Sequence, residues 1–162
     1  MAGAIILIGI PGSGKSTLAQ SMLRTHPNLY AYISPDQIRG RLYGDASIQG
    51  EWLQIWAEVK QQVMTAAEAG KNIIYDATNY KSKYRREVIE LLKSYHFQPI
   101  TGVCLQVPLW ICLSRNQSRS RQVPEDVIIE MHRCLVLNPP SLREGFDRLL
   151  VQEDRPENEW ID

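Results

Sequence analysis

The chain has 162 residues, 44% hydrophobic and 22% charged, which is one core's worth of sequence and excludes multidomain, disordered and fibrous architectures. Eighteen Lys and Arg balance eighteen Asp and Glu, so no whole-molecule field marks a nucleic-acid coat or a membrane-surface binder, and an anionic ligand has to be met by local charge. Cys104, Cys112 and Cys134 lack C-x-x-C or zinc-ligand spacing and read as reduced packing residues, which suits a cytoplasmic protein; no apolar run approaches a membrane span.

In chain order, residues 4–9 form an apolar run with no preceding Lys or Arg, a strand covered on both faces rather than a secretory leader. It leads into Gly9-Ile10-Pro11-Gly12-Ser13-Gly14-Lys15-Ser16-Thr17, which satisfies G-x-x-x-x-G-K-[ST], and a helix over 15–24 follows. Strand, glycine loop and helix are the context in which this motif is a phosphate cradle, the P-loop. The glycines let backbone N–H groups turn inward and the helix presents its positive end. Gly12, Ser13, Gly14, Lys15, Ser16 and Thr17 are therefore the expected nucleotide-binding set. Lys15 is expected to place a charge between the β- and γ-phosphates of a triphosphate, and Ser16 to hold Mg²⁺.

A second strand, 30–34, is followed by Ser34-Pro35-Asp36-Gln37-Ile38-Arg39, which brings a carboxylate to the carboxyl edge of the sheet, where open α/β sheets bind ligands. Asp36 is a candidate general base for an alcohol acceptor; the same pattern also suits a helix cap or first-turn acid. Arg39, one turn on, can pair with Asp36, cover the surface or bind an anionic part of the acceptor. Trp52, Ile55, Trp56, Val59 and Val63 share one helical face and read as core packing rather than a base-stacking platform. The strand at 72–75 ends in Asp76, either a carboxylate near metal, water or acceptor, or an Asx cap. Thr78 and Asn79 follow as expected acceptor-positioning groups.

A helix over 81–94 and a strand over 99–106 come next. Arg115-Asn116-Gln117-Ser118-Arg119-Ser120-Arg121 carries three arginines in seven residues and reads as a lid over a triphosphate, or else as a solvated basic face. A helix over 124–136 starts at Pro124, with Glu125 and Asp126 in its first turn. A strand over 148–152 follows. Residues 1–152 are expected to form one domain, and 153–162, with five acids against one Arg, a solvated tail. The strand–helix alternation predicts a three-layer α/β fold with a mostly parallel sheet, helices on both faces and an Arg-rich lid. His26, His96 and His132 are scattered and form no ligand set.

The cradle alone does not choose among GTPases, motor ATPases and small kinases. D-x-x-G and N-K-x-D sequences for guanine recognition are missing, and little chain remains for the extra helical domain of a motor. A small kinase is the surviving class, with a metabolite or antibiotic kinase and a non-kinase ATP-binding regulator as rivals to any one acceptor.

Taken together, Gly9 to Thr17, Asp36-x-x-Arg39, Asp76-x-Thr78-Asn79, Val107-Pro108 leading to Arg115-Asn116-x-x-Arg119, and Val123-Pro124 resemble, in order and spacing, the 5′-kinase module of phage-type polynucleotide kinases. That module lies within the small P-loop kinases that include zeta toxins and chloramphenicol phosphotransferase. The resemblance implies ATP and Mg²⁺ at Lys15 and Ser16, proton removal from a polynucleotide 5′-hydroxyl by Asp36, and Arg39 on the neighbouring acceptor phosphate. It further implies that Asp76 helps organise the acceptor site, and that Arg119 and Arg115 reach the donor phosphates, with Lys15, Asp36 and Arg119 catalytic. The sequence departs from the pattern at Pro35, where the phage-type enzyme carries an arginine.

Overall fold

The computed structural model describes residues 1–46 and 50–153. Five strands, β1 (Ala4–Ile8), β2 (Tyr30–Ile33), β3 (Asn72–Asp76), β4 (Ile100–Gln106) and β5 (Arg148–Glu153), form one sheet in the order β2-β3-β1-β4-β5. Every pairing is parallel, so the sheet is wholly rather than mostly parallel. Parallel neighbours need crossovers, and the helices supply them: α1 (Lys15–Thr25), α2 (Pro35–Tyr43), α3 (Trp52–Glu68), α4 (Ser82–Ser94), α5 (Leu109–Gln117) and α6 (Glu125–Leu137).

The strand period of two divides the sheet's residues between two faces. Ala4, Ile6 and Ile8 of β1, with Ile73 and Tyr75 of β3, pack against Ile55, Val59 and Val63 of α3 and Val88, Ile89 and Leu92 of α4. Leu7 and Ile74, on the opposite face, pack against Ala19, Leu18 and Met22 of α1. Burying each isoleucine of this kind contributes about 1.5–3 kcal/mol. A third cluster of Ile10, Val107, Cys112 and Ile128 joins α5 and α6 to the glycine loop.

Of the two tryptophans of α3, Trp56 packs against the core as expected, and Trp52 departs from that role. Ile55, Val59 and Val63 are fully buried, but Trp52 remains 40% exposed and stacks on Trp56 at 6.0 Å. None of the three cysteines forms a disulfide. Among the described residues no helix is long and apolar enough to cross a membrane. Glu153 is the last residue of β5, and the rest of the expected acidic tail lies outside the described residues.

A buried ion pair ties the α4 layer to the chain's return toward β5. Arg85 is 0% exposed and donates from Nε and Nη2 to both carboxylate oxygens of Glu144, at 2.7 and 2.6 Å. Its Nη1 and Nη2 also reach the carbonyls of Asn79 and Asn138, at 3.0 and 2.9 Å.

Candidate active site

The glycine loop runs from β1 to α1 at the carboxyl edge of the sheet and floors a cleft of about 780 Å³. Gly12 has φ +85, and a Cβ there would stand 2.6 Å from the Cys112 carbonyl oxygen of α5, so only glycine fits. Gly14, at φ +93, is the N-cap of α1 and leaves the first-turn N–H groups open toward the cleft. Ser13 is 3% exposed, and its Oγ has no hydrogen-bond partner among the described residues.

Lys15 is 8% exposed and donates from Nζ to the Ile10 carbonyl at 3.1 Å. Burial lowers its pKa from the ordinary lysine value, while the negative charges of Asp76 and Asp36 partly restore it. An ammonium held by one carbonyl in a desolvated loop is poised for stronger acceptors such as phosphate oxygens.

Asp76 is 5% exposed. In register with Leu7, it projects to the α1 face, where its Oδ2 accepts from Ser16 Oγ at 2.8 Å and from the Tyr32 hydroxyl at 2.6 Å. Tyr32 pairs in register with Ile74, which puts it on the same face. Burial and the Asp76 carboxylate push the Tyr32 phenol well above its usual pKa, so it stays a donor. The hydroxyl–carboxylate pair of Ser16 and Asp76 is the hard oxygen donor set that suits a phosphate-bound Mg²⁺, and the orphaned Ser13 hydroxyl and open N–H groups fit a polyphosphate.

Asp36 stands on the same cleft in the first turn of α2, which is capped by Ser34: its Oγ accepts from the Gln37 N–H at 3.3 Å. Asp36 therefore does not make the cap. Arg39 Nη1 donates to its Oδ1 at 2.6 Å, and Arg121 Nη1 lies 3.5 Å from its Oδ2. Arg39 Nε is buried without a partner. Arg115 belongs to the last turn of α5, not to a loop, and donates to the Gly12 carbonyl at 3.3 Å. Arg119 and Arg121 follow α5 and line the cleft.

The cleft thus gathers Gly12, Ser13, Gly14, Lys15, Ser16, Thr17, Asp36, Asp76, Thr78, Arg115 and Arg119. Arg39 and Asn79 are not among the residues that line it; Arg39 touches the lining through Asp36, and Asn79 is turned into the fold. Asn79 is 3% exposed, and its Nδ2 donates to the Leu7 carbonyl at 2.7 Å and the Ala77 carbonyl at 3.3 Å. These bonds fasten the post-β3 loop to β1 and take up the amide N–H groups that the sequence reading reserved for an acceptor. The sequence reading missed Tyr32, and it placed Arg121 in the lid without connecting it to Asp36. The alternation of Tyr30 and Tyr32 along β2 hints at the first, but the pairing register that directs it to Asp76 is not local information.

The AAA domain family matches residues 5–137, from β1 through α6. In sequence the chain is 27% identical over 137 residues to the L-seryl-tRNA(Sec) kinase of Methanococcus maripaludis, covering 79% of this chain and 50% of that protein. It is 26% identical over 160 residues to a protein of Autographa californica nuclear polyhedrosis virus assigned as a bifunctional polynucleotide kinase/RNA ligase, covering 90% of this chain and 20% of that one. The chain spans half or less of the length of these relatives. Its fold superposes on a chain of the Pnkp1/Rnl/Hen1 RNA repair complex with a TM-score of 0.75 at 23% identity, covering 90% of this chain and 46% of that one. With a P-loop built between β1 and α1 and a family match across the elements that frame it, the chain belongs to the AAA domain family.

Proposed function

We propose that the domain transfers the γ-phosphoryl group of ATP to an alcohol, with a polynucleotide 5′-hydroxyl as the preferred acceptor. The observation that carries this reading is the Asp36 carboxylate in the same cleft as Lys15 and Ser16, with an arginine at each of its oxygens. An acceptor that is already a phosphate needs no base, whereas an alcohol gains about 10²- to 10⁴-fold from one.

In this reading Gly12 to Thr17 and Lys15 hold the triphosphate, and Arg115 and Arg119 approach it from above. Ser16 and Asp76 would hold Mg²⁺, which when bound with nucleotide neutralises charge on the β- and γ-oxygens. Asp36 takes the acceptor's hydroxyl proton as the new O–P bond forms, the bond from the γ-phosphorus to the β–γ bridging oxygen breaks, and ADP departs. Arg39 trades part of its contact with Asp36 for the phosphate next to the acceptor hydroxyl. Thr78, on the cleft wall, adds a hydroxyl for orienting the acceptor. The viral relative's name and the resemblance of Asp36-x-x-Arg39 to the phage-type module support the choice of acceptor.

The test is transfer of labelled γ-phosphate from ATP to a 5′-hydroxyl oligonucleotide, with a 5′-phosphorylated oligonucleotide as control. Wild type labels only the first, and Asp36→Asn binds ATP normally but transfers at least about 100-fold more slowly. Labelling of a small alcohol but of no oligonucleotide would move the acceptor to a metabolite or antibiotic; ATP binding with no labelled acceptor of any kind would favour a regulatory ATP-binding domain.

A further inference from the structure

The segment after the post-β3 loop carries groups the transfer reaction does not use. Residues 79–86 read Asn79-Tyr80-Lys81-Ser82-Lys83-Tyr84-Arg85-Arg86, with four cations and no acid in a chain of zero net charge. Arg85 is withdrawn into its buried ion pair. Lys81, Lys83, Tyr84 and Arg86 are exposed and Tyr80 is half-buried.

The side chains are ordered against one another. Tyr80 and Tyr84 meet edge to face at 5.7 Å, with their planes at 78°. Lys81 Nζ lies 5.5 Å from the Tyr80 ring centre and 5.6 Å from that of Tyr84. A cation seated over two rings holds both against the surface, so little side-chain freedom remains to be lost on binding. Lys83 faces Glu87 at 4.0 Å, with both groups well exposed; such a pair is weak and readily exchanged. Arg86 Nε donates only to Ser82 Oγ, at 3.3 Å, among the bonds described.

The patch also stands where a bound acceptor would continue. Thr78, two residues before Tyr80, lines the cleft. A chain of phosphates and bases leaving the cleft past Thr78 meets, at the start of α4, cations interleaved with aromatic rings. That is the combination by which single strands are held without sequence preference, phosphates by charge and bases by stacking. An acidic protein surface would use the cations but has no need of the paired rings.

We propose that Tyr80, Lys81 and Tyr84, flanked by Lys83 and Arg86, bind the single strand of nucleic acid that trails from the acceptor's 5′ end. This rests on the polynucleotide reading of the cleft, and it supplies the local basic surface that zero net charge otherwise leaves missing.

Binding of a 3′-labelled, 5′-hydroxyl oligonucleotide of about 12 nucleotides, the span of one single-strand site, is measured by fluorescence anisotropy for wild type, Tyr84→Ala, Lys81→Glu and the double variant. Melting temperatures confirm that each variant folds. Kd is expected to rise about fivefold or more on losing a stacking ring, and the slope of log Kd against log salt to fall by roughly one on losing Lys81. In the transfer assay KM for the oligonucleotide rises with kcat unchanged, while KM for a nucleoside 3′-monophosphate, too short to reach the patch, stays put. An unchanged Kd in the double variant, or a wild type that does not bind the oligonucleotide, overturns the proposal. A wild type that binds through the patch yet labels neither acceptor refutes the acceptor reading while retaining the patch. Labelling of both acceptors with variant KM values equal to wild type does the reverse.

Discussion

Replacing Glu144 with Leu strands a charge that the fold has fully desolvated. Arg85 is 0% exposed and places two of its four hydrogen bonds on that carboxylate. Removing one partner of a buried pair costs about 3–5 kcal/mol, because the remaining ion is left without compensation. For a domain of this size each kcal/mol lowers Tm by about 2–4 °C, so a fall of roughly 6–20 °C is expected. Urea denaturation should show a lower midpoint at constant slope. Combining Arg85→Met with Glu144→Leu removes the stranded charge, and the double variant should recover at least about 1 kcal/mol over Glu144→Leu alone. Burial by itself would raise the Glu144 carboxyl, but hydrogen bonding from Arg85 overrides it and holds the group below its usual value. Its stabilisation is therefore present at neutral pH and lost as pH falls from the ordinary carboxylate range through the lower native value. The single variant should lose that part of the acid-induced decline. A loss below about 1 kcal/mol, or a double variant less stable than Glu144→Leu, would refute the reasoning. Arg85 also holds the Asn79 carbonyl, so loosening this pair should disturb the loop beneath the cleft.

Lys15→Ala should abolish ATP-dependent transfer, since the cradle loses the ammonium at its floor; unchanged turnover would remove the phosphate assignment. Tyr32→Phe takes one of two described donors from the buried Asp76 carboxylate and should cost about 1–3 kcal/mol in urea denaturation. Unaltered stability would mean that Asp76 is held without Tyr32. Asn79→Ala should destabilise the fold by a similar amount through the orphaned Leu7 carbonyl, whereas Thr78→Ala should alter acceptor KM with the melting temperature preserved. The opposite assignment of effects would return Asn79 to the acceptor site.

Legibility in the sequence followed the range of the interaction concerned. The β1 strand, the glycine loop and α1 are contiguous, and their apolar run, glycines, lysine and hydroxyls each state a local requirement of backbone conformation or phosphate chemistry. Ser34-Pro35 announced the start of α2 for the same reason, since capping and a fixed φ act within one turn. Lys15 and Asp36 could be named as candidates without knowing where they meet. The stripe of α3 held at Ile55, Trp56, Val59 and Val63 but not at Trp52, because helical periodicity reports which residues share a face, not whether a neighbour covers the whole of it. The bonds of Asn79 were not legible because a polar residue after a strand has the same composition whether it faces a substrate or a carbonyl of the fold.

The sequence by itself determined the α/β alternation, the phosphate cradle and the order of the residues that bear on it, because each is written in contiguous turns and runs. Only the tertiary structure decided that the sheet is wholly parallel, that Tyr32 and Ser16 converge on Asp76, and that Arg121 reaches Asp36. It also decided that Arg85 serves a buried carboxylate while the cations around it face solvent. These contacts join residues separated by many positions in the chain, and their partners are set by strand register and crossover packing, which no local pattern encodes.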